Sequence, residues 1–294
     1  MTIAPGVTTV GFIGTGVMGR SMAGHLLDAG YDLVVFTRTK AKADDLVARG
    51  ARWASTVSEL AAASDVVITM VGYPTDVEAV YLGEDGVIAS ARPRTLLIDM
   101  TTSTPALAVR IDEEALASGL RSLDAPVSGG DIGARDARLT IMVGGDPDSF
   151  AEAEPLLRVM GPNVVHQGAA GAGQHTKMSN QIAIAGTMIG VCEAMAYAQN
   201  AGLDPHQVLK SIGAGSAGSW TLTNLAPRML AGDFDPGFYV KHFIKEIHIA
   251  LTSAREMKLS TPGLELVLAQ YERLAEEYEG SDQGTQALFR LYAQ

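Results

Sequence analysis

The chain has 294 residues, a length that favours two domains over a single core. Apolar residues make up 47% and charged residues 19%, a composition that excludes an intrinsically disordered chain. With 33 acidic and 22 basic residues, the net charge of −11 argues against a nucleic-acid partner or an anionic membrane. The single cysteine, Cys192, excludes an internal disulfide and suits a reducing compartment, so we expect a cytoplasmic protein.

The first part of the chain alternates short apolar runs with helical stretches. The apolar runs predict strands buried on both faces at residues 10–13, 33–36, 66–71, 96–100 and 141–143. Helices are predicted at residues 17–29 and 41–49, each closed by the glycine that is favoured just past a helix end. This alternation predicts a doubly wound α/β domain over residues 1–170.

The chain after residue 170 lacks clear strand patterns. Helices are predicted at residues 174–200, 205–212, 239–258 and 262–279, so an all-α domain is expected over residues 171–294. The most apolar long segment, residues 182–198, carries Glu193. We therefore expect a buried helix there and no membrane span.

A glycine-rich loop follows the first predicted strand and opens the first predicted helix. Gly14, Gly16 and Gly19 have the G-x-G-x-x-G spacing, which serves a tight turn, close approach of a pyrophosphate and helix packing on the strand. The free N–H groups at the helix start favour phosphate. A purely structural turn is the alternative. We predict cofactor contacts from six residues, which are Gly14, Thr15, Gly16, Val17, Met18 and Gly19.

The end of the second predicted strand bears on which dinucleotide binds. Enzymes that use NAD usually place Asp or Glu there to hold the ribose 2′-hydroxyl, whereas this chain has Thr37, Arg38, Thr39 and Lys40. Arg38 could pair with a 2′-phosphate, so NADP is the preferred cofactor and NAD a possible one. The alternative is that Arg38 and Lys40 form an ordinary solvated turn.

Two later stretches place polar groups where a small substrate could bind. The Ser128 hydroxyl is followed by the unhindered N–H groups of Gly129 and Gly130, which suits a carboxylate, although a plain turn explains this stretch equally well. Lys177, Asn180 and Gln181 share one face of a long predicted helix.

Polar side chains on an otherwise apolar helix need partners or a ligand. The dipole at the helix start disfavours the charged form of Lys177, which suits that lysine to proton exchange. A solvated helix start is the alternative.

Taken together, these stretches resemble the β-hydroxyacid dehydrogenase family, which includes 3-hydroxyisobutyrate dehydrogenase and the semialdehyde reductases, across essentially the whole chain. The resemblance implies that residues 11–19 form the cofactor loop, residues 124–130 the substrate signature and residues 171–181 the catalytic signature. It implies that Lys177 is the catalytic lysine, assisted by Asn180. Further contacts with cofactor or substrate would come from Met70, Val71, Thr102, Gln181, Trp220 and Lys245.

The resemblance also implies an N-terminal Rossmann-type domain, a long interdomain helix and an all-α domain that mediates assembly into a homodimer or homotetramer. It implies hydride exchange between the nicotinamide and a small 3-hydroxy acid or its semialdehyde. 3-Hydroxyisobutyrate is the default substrate, while tartronate and succinic semialdehyde stay open. Trp220 could line the substrate pocket or pack an interface. No metal site is expected.

Three stretches depart from the family pattern. Residues 137–139 read Ala-Arg-Leu where Gly-Thr-Leu is usual, Glu246 replaces a common Asp, and residues 71–74 read Val-Gly-Tyr-Pro where Leu-Pro is common. Two alternatives share the expected fold, an imine reductase and a non-catalytic NADP-binding protein. Lys177 favours hydroxy-acid chemistry over both.

Overall fold

The computed structural model describes residues 2–292, and its contacts divide the chain into two units, Met1–Lys177 and Met178–Gln294. In the first unit the strands are β1 Thr9–Ile13, β2 Asp32–Phe36, β3 Arg52–Trp53, β4 Val66–Thr69, β5 Leu96–Asp99, β6 Arg121–Asp124, β7 Val127–Ser128, β8 Thr140–Gly145 and β9 Asn163–Gly168. The helices are α1 Val17–Asp28, α2 Asp44–Ala48, α3 Val57–Ala63, α4 Pro74–Leu82, α5 Val87–Ser90, α6 Pro105–Ala117, α7 Gly130–Arg135 and α8 Pro147–Leu157. A 3-10 helix, Lys40–Ala43, precedes α2. The predicted boundary after residue 170 stays a prediction.

These strands form one sheet in the order β3-β2-β1-β4-β5-β6-β8-β7, with β9 paired to β8. The strands from β3 to β6 run parallel, and β8 runs antiparallel to β6 and β7. The order of the six parallel strands is that of the Rossmann fold, which confirms the predicted α/β class. In such a sheet the carboxyl ends of the parallel strands meet at one edge, where ligands bind.

Side chains alternate between the two faces of this sheet. In β4, Val66 and Ile68 join one buried apolar cluster while Val67 joins the other. β5 repeats the pattern with Leu96 and Ile98 against Leu97. Both faces are therefore covered, as a parallel sheet requires.

Several predicted boundaries differ from the structure. The strands predicted at residues 66–71 and 96–100 end at Thr69 and Asp99, so Met70 and Val71 lie in the loop beyond the strand. The helix predicted at residues 41–49 starts as the 3-10 helix and becomes α-helical only at Asp44. The strands β3, β6, β7 and β9 were not predicted.

The second unit is helical, as predicted. Its helices are α9 Ala172–Asn200, whose first six residues belong to the first unit, α10 Pro205–Gly213, α11 Trp220–Asn224, α12 Ala226–Leu230, α13 Val240–Glu256 and α14 Pro262–Glu277. Two 3-10 helices, Gly280–Asp282 and Thr285–Leu291, follow. Over residues 178–292 no strand forms, and one antiparallel bridge joins Tyr239 and Gly284.

Aromatic packing organises the core of this unit. The rings of Phe243 and Tyr271 meet edge to face with centroids 5.0 Å apart, and the Tyr271 hydroxyl donates to the Thr285 carbonyl at 2.8 Å. Cys192 and Met195 of α9 are buried in the same cluster. By length and composition alone α9 is also able to cross a membrane, a test that buried core helices pass as well.

Candidate active site

The glycine loop between β1 and α1 is shaped differently at its two central glycines. Gly14 has φ of 98°, and a Cβ atom there would lie 2.2 Å from the Met70 carbonyl oxygen. A Cβ atom on Gly16 would meet nothing within 4 Å. Since α1 begins at Val17 with no acidic residue in its first turn, its free N–H groups suit an anion. The loop is closed at Gly14 and leaves open space at Gly16, so it fits a pyrophosphate.

Two buried hydroxyls lie in the loops that follow β1 and β5. Within residues 2–292, Thr15 Oγ1 and Ser103 Oγ are buried and have no hydrogen-bond partner. Leaving such a group unsatisfied costs about 1–3 kcal/mol, so these positions favour a bound ligand or water. Both observations agree with the predicted dinucleotide site.

Arg38 follows β2, where the adenosine ribose would lie in a Rossmann-type domain. Its Nη1 lies 3.2 Å from Asp76 Oδ1, and its side chain is 83% exposed. The other oxygen of Asp76 accepts the Tyr73 N–H in the first turn of α4. Asp76 is 38 positions away in the chain, so the residues beside Arg38 gave no indication of this carboxylate.

A buried carboxyl, Asp99, ties together the loops after β4 and β5. Its Oδ1 accepts the Thr69 hydroxyl at 2.6 Å and the Thr101 N–H at 3.1 Å. Thr101 Oγ1 in turn accepts the Val71 N–H at 3.0 Å. Burial raises the pKa of Asp99 to about 6, although these hydrogen bonds favour its charged form. The network fixes the loops that carry the predicted contacts Val71 and Thr102.

The start of α9 is held by Asp124 at the end of β6. Asp124 Oδ1 accepts the Gly171 N–H at 2.8 Å, and Oδ2 accepts the Gln174 N–H at 2.7 Å. Burial raises the pKa of Asp124, and the two N–H donors oppose that rise. The Gln174 side chain donates to the Thr101 carbonyl at 2.8 Å and accepts the Ser103 N–H at 3.0 Å.

Sequence reasoning gave neither of these side chains a role of its own. It treated Asp124 as part of a signature and Gln174 as the first residue of a helix. The sequence marks each of them only as a polar group that needs a partner, since Asp124 adjoins an apolar stretch and Gln174 lies in a Gly/Ala-rich helix start, and it does not show which partners they have.

The catalytic and substrate residues predicted in the first unit gather at the same edge of the sheet. Lys177 is 6% exposed and lies one helical turn after Gln174. β7 continues the pairing of β6 on β8 in the same register, which places Ser128 beyond the carboxyl edge. Gly129 and Gly130 follow with φ of 136° and 62°, conformations that favour glycine.

The second unit joins three of its predicted site residues in one polar chain. Asn180 Nδ2 donates to Gln181 Oε1 at 2.7 Å, and Gln181 Nε2 donates to Glu246 Oε2 at 2.6 Å. Lys245 Nζ lies 3.7 Å from Glu246 Oε1. Trp220 begins α11 and is 61% exposed, so the structure does not place it in this chain of contacts.

Two family profiles match the chain. The profile described as the NAD binding domain of 6-phosphogluconate dehydrogenase matches residues 9–168. The profile described as the NAD-binding of NADP-dependent 3-hydroxyisobutyrate dehydrogenase matches residues 171–292.

Relatives of known sequence align over most of the chain. The "Uncharacterized oxidoreductase YkwC" of Bacillus subtilis is 56% identical over 97% of this chain and 98% of its own. "Probable 3-hydroxyisobutyrate dehydrogenase-like 1, mitochondrial" of Arabidopsis thaliana is 47% identical over 97% of this chain and 85% of its own. The "NAD-dependent L-serine dehydrogenase" of Pseudomonas aeruginosa is 38% identical over 91% of this chain and 92% of its own.

Solved structures share the fold. A 3-hydroxyisobutyrate dehydrogenase of Mycobacterium tuberculosis with L-serine has a TM-score of 0.90 at 31% identity, covering 98% of this chain and 99% of its own. "Psf3 in complex with NADP+ and 2-OPP" has a TM-score of 0.88 at 25% identity, covering 97% and 100%. A Streptomyces aurantiacus imine reductase, at 22% identity and a TM-score of 0.65 over 97% and 100%, shares the fold alone. The chain therefore belongs to the β-hydroxyacid dehydrogenase family, whose 3-hydroxyisobutyrate dehydrogenase-like members are NAD(P)-dependent oxidoreductases.

Proposed function

We propose that this chain is an NADP-dependent enzyme that interconverts a small 3-hydroxy acid and its semialdehyde, with 3-hydroxyisobutyrate as the default substrate. The observation that carries the proposal is the burial of Lys177. Lys177 lies one helical turn after Gln174, and the Gln174 side chain contacts the loop expected to hold the nicotinamide. A buried lysine at a sheet edge lined by polar groups is better suited to proton exchange than to the role of a solvated surface charge.

The preference for NADP is supported by Arg38 at the end of β2 and by the relative whose solved complex contains NADP+. When bound, the dinucleotide accepts hydride from the hydroxy acid or donates it to the semialdehyde. Its predicted contacts are the loop Gly14, Thr15, Gly16, Val17, Met18 and Gly19, together with Thr37, Arg38, Thr39, Met70, Val71, Thr102 and Lys245.

Lys177 carries the proton in this proposal. In reduction its ammonium donates a proton to the aldehyde oxygen, and in oxidation its neutral amine takes the proton from the hydroxyl. Ser128, Gly129 and Gly130 hold the substrate carboxylate. Asn180 lies one turn after Lys177 in α9, and its side-chain amide also binds the substrate carboxylate. Gln181 and Trp220 stay predicted substrate contacts.

L-Serine is a second candidate substrate. It is a 3-hydroxy acid with an amino group at C2, and two of the similar proteins carry its name in their descriptions, one as a dehydrogenase and one as a complex. Pocket contacts that separate such C2 substituents are worth only about 1–3 kcal/mol, so the common scheme of a held carboxylate and a proton-exchanging lysine serves both.

A steady-state panel tests the proposal. For reduction, NADPH and NADH are each combined with methylmalonate semialdehyde, tartronate semialdehyde, succinic semialdehyde, glyoxylate and a cyclic imine. For oxidation, NADP⁺ and NAD⁺ are each combined with 3-hydroxyisobutyrate and L-serine. The reduced nicotinamide is followed by absorbance. We expect strong NADP(H)-dependent turnover of one acid–semialdehyde pair.

Lys177→Ala is the decisive variant within that panel. We expect turnover to fall by about 10²–10⁴, the usual contribution of a general acid or base, while NADPH affinity measured by fluorescence titration stays within about three-fold. Lys210→Ala, which removes an exposed lysine from α10, is the matched control that keeps both values. Wild-type turnover in Lys177→Ala, or activity on the imine alone, would refute the proposal.

A further inference from the structure

The first turn of α9 is anchored by two buried side chains to which the proposed chemistry assigns no role. Asp124 is 4% exposed and accepts the N–H groups of Gly171 and Gln174. Gln174 is fully buried, and both ends of its amide are hydrogen-bonded to the loop after β5. The helix that carries Lys177 is thereby attached to two neighbouring strands of the sheet.

The Asp124 anchor fixes the helix start against β6. A carboxylate that accepts backbone N–H groups at a helix N-terminus is stabilised by hydrogen bonding and by the helix dipole. The approach is also sterically closed, because a Cβ atom on Gly173 would lie 2.4 Å from the Met142 oxygen and 2.6 Å from the Asp124 oxygen. The first turn therefore cannot move closer to the sheet.

The Gln174 amide spans the loop that is expected to face the nicotinamide. Its Nε2 donates to the Thr101 carbonyl and its Oε1 accepts the Ser103 N–H, so Thr102 is bracketed between the two bonded residues. The contact needs one donor and one acceptor in a fixed spacing. A glutamine amide provides one donor and one acceptor at every pH, whereas a glutamate of the same length loses its donor when it ionises.

We propose that Gln174 is a positioning residue that sets where Lys177 stands relative to the nicotinamide-facing loop. We call the two hydrogen bonds of the Gln174 side chain to Thr101 and Ser103 the Gln174 grip. Gln174 and Lys177 are three apart in α9 and share a helix face, so this grip also fixes how α9 is rotated, and how far along its axis Lys177 lies, relative to the loop. This inference rests on the proposed function, because it assumes that Lys177 exchanges the proton and that Thr102 meets the cofactor.

The expected signature is a loss of turnover without a loss of binding. Gln174→Met keeps the length of the side chain and removes both hydrogen bonds, which loosens Lys177 against the loop. A displacement of about 1 Å costs about 10²-fold in rate, so we expect kcat to fall by about 10- to 100-fold. KM and the Kd of NADPH should stay within about three-fold. Gln199→Met, exposed near the far end of the same helix, is the matched control.

A second variant gives a readout that a merely structural role would not produce. In Gln174→Glu, the protonated carboxylic acid offers one donor and one acceptor, as the amide does, whereas the ionised form cannot donate to the Thr101 carbonyl. Burial and the neighbouring carboxyl of Asp124 favour the protonated form of the introduced acid, whereas Lys177 on the same helix face favours its ionised form, and in either balance protonation increases as the pH falls. Its kcat relative to wild type at the same pH should therefore recover as the pH falls.

Amide hydrogen exchange of the segment 100–104 in the cofactor-free protein tests the grip itself. Gln174→Met should raise exchange of the Ser103 N–H at least about ten-fold and leave β4 unchanged, because of the two hydrogen bonds that are lost only this one protects a backbone amide. This arm needs no turnover, so a wild type that is inactive on every substrate would defeat the proposed function and leave the grip tested.

Two outcomes would overturn the positioning role. One is wild-type kcat in Gln174→Met despite faster exchange at residues 100–104. The other is a parallel loss of kcat, NADPH affinity and melting temperature in Gln174→Met, with no recovery of Gln174→Glu at low pH. The first would separate the grip from catalysis, and the second would make Gln174 a residue of the fold alone.

Discussion

At the scale of single residues, Arg38 has two potential anionic partners. In the structure its Nη1 pairs with Asp76, and in the proposed complex it would pair with the 2′-phosphate of NADP. An exposed pair of this kind contributes about 0–1 kcal/mol, whereas hydrogen bonds to a charged phosphate contribute about 1.5–3 kcal/mol. We infer that the phosphate displaces Asp76 from Arg38.

Substitutions on both sides of this pair test the inference. We expect Arg38→Ala to raise the Kd of NADPH by about 10- to 100-fold and that of NADH by less than about three-fold, because only NADPH carries the phosphate. Asp76→Asn should lower the Kd of NADPH several-fold by removing a competing charge. Fluorescence titration of both reduced cofactors measures these values. Equal weakening of NADPH and NADH in Arg38→Ala would contradict a phosphate contact.

Residues whose role depends on local spacing were accessible from sequence, and residues whose role depends on distant partners were not. Gly14, Gly16 and Lys177 were predicted as site residues because their neighbours in the chain define the motif. Asp76 meets Arg38 across 38 positions, and Asp124 meets Gly171 across 47. A single sequence contains no signal for pairs that only the fold brings together.

At the scale of elements, the strand, loop and helix formed by β1, residues 14–16 and α1 give a prediction with an internal control. Gly14→Ala places a Cβ atom 2.2 Å from the Met70 oxygen at φ of 98°. We expect it to lower the free energy of unfolding by at least about 2 kcal/mol. Gly16→Ala enters open space at φ of −75° and should cost less than about 1 kcal/mol.

Gly16→Ala, the variant expected to keep its stability, should lose affinity for the cofactor. The methyl group of Gly16→Ala would occupy the space left for the pyrophosphate, so we expect the Kd of NADPH to rise at least about ten-fold in a protein of nearly normal melting temperature. Urea unfolding and fluorescence titration give the two values. Unchanged NADPH affinity in Gly16→Ala would show that the pyrophosphate does not pass over this glycine.

The elements that sequence missed share physical reasons for being missed. β3 and β7 have two residues each, too few for a period of two to be visible. β6 contains Arg121, Ser122 and Asp124, so its four residues do not form an apolar run. β9 is at the margin of the sheet and keeps exposed residues. The apolar strands were identified because burial on both faces leaves a continuous apolar pattern. α9 was identified by its long apolar run, although the expectation that it is buried holds for only part of its surface, since Ala183, Glu193 and Tyr197 are exposed in the structure.

At the scale of the whole molecule, the buried Asp99 makes stability depend on pH. Its pKa of about 6 lies above the 3.8 of an unperturbed aspartate, so the folded state holds the proton more tightly than the unfolded state. The free energy of unfolding therefore falls as the pH rises from about 4 to about 6, by on the order of 3 kcal/mol from this group. Below that window the contribution is fully present.

Asp99→Asn isolates this contribution. The amide oxygen can still accept the Thr69 hydroxyl and the Thr101 N–H, but the side chain no longer titrates. We expect the difference in unfolding free energy between this variant and wild type to shift in favour of the variant as the pH rises through the window. Urea unfolding at a series of pH values measures it, with the exposed Asp85→Asn as the control. A difference independent of pH would mean that Asp99 keeps an ordinary pKa.

Because β6 and β7 pair with β8 in one register, the number of residues between Asp124 and Ser128 sets where Ser128 lies relative to the start of α9. Asp124 anchors the start of α9, and Ser128 lies four positions further along the same pairing. Since neighbouring positions on a strand point to opposite faces, the loss or gain of one residue here would turn Ser128 away from the edge where Lys177 lies. Among natural variants, we expect the identities of residues 125–127 to change more freely than their number.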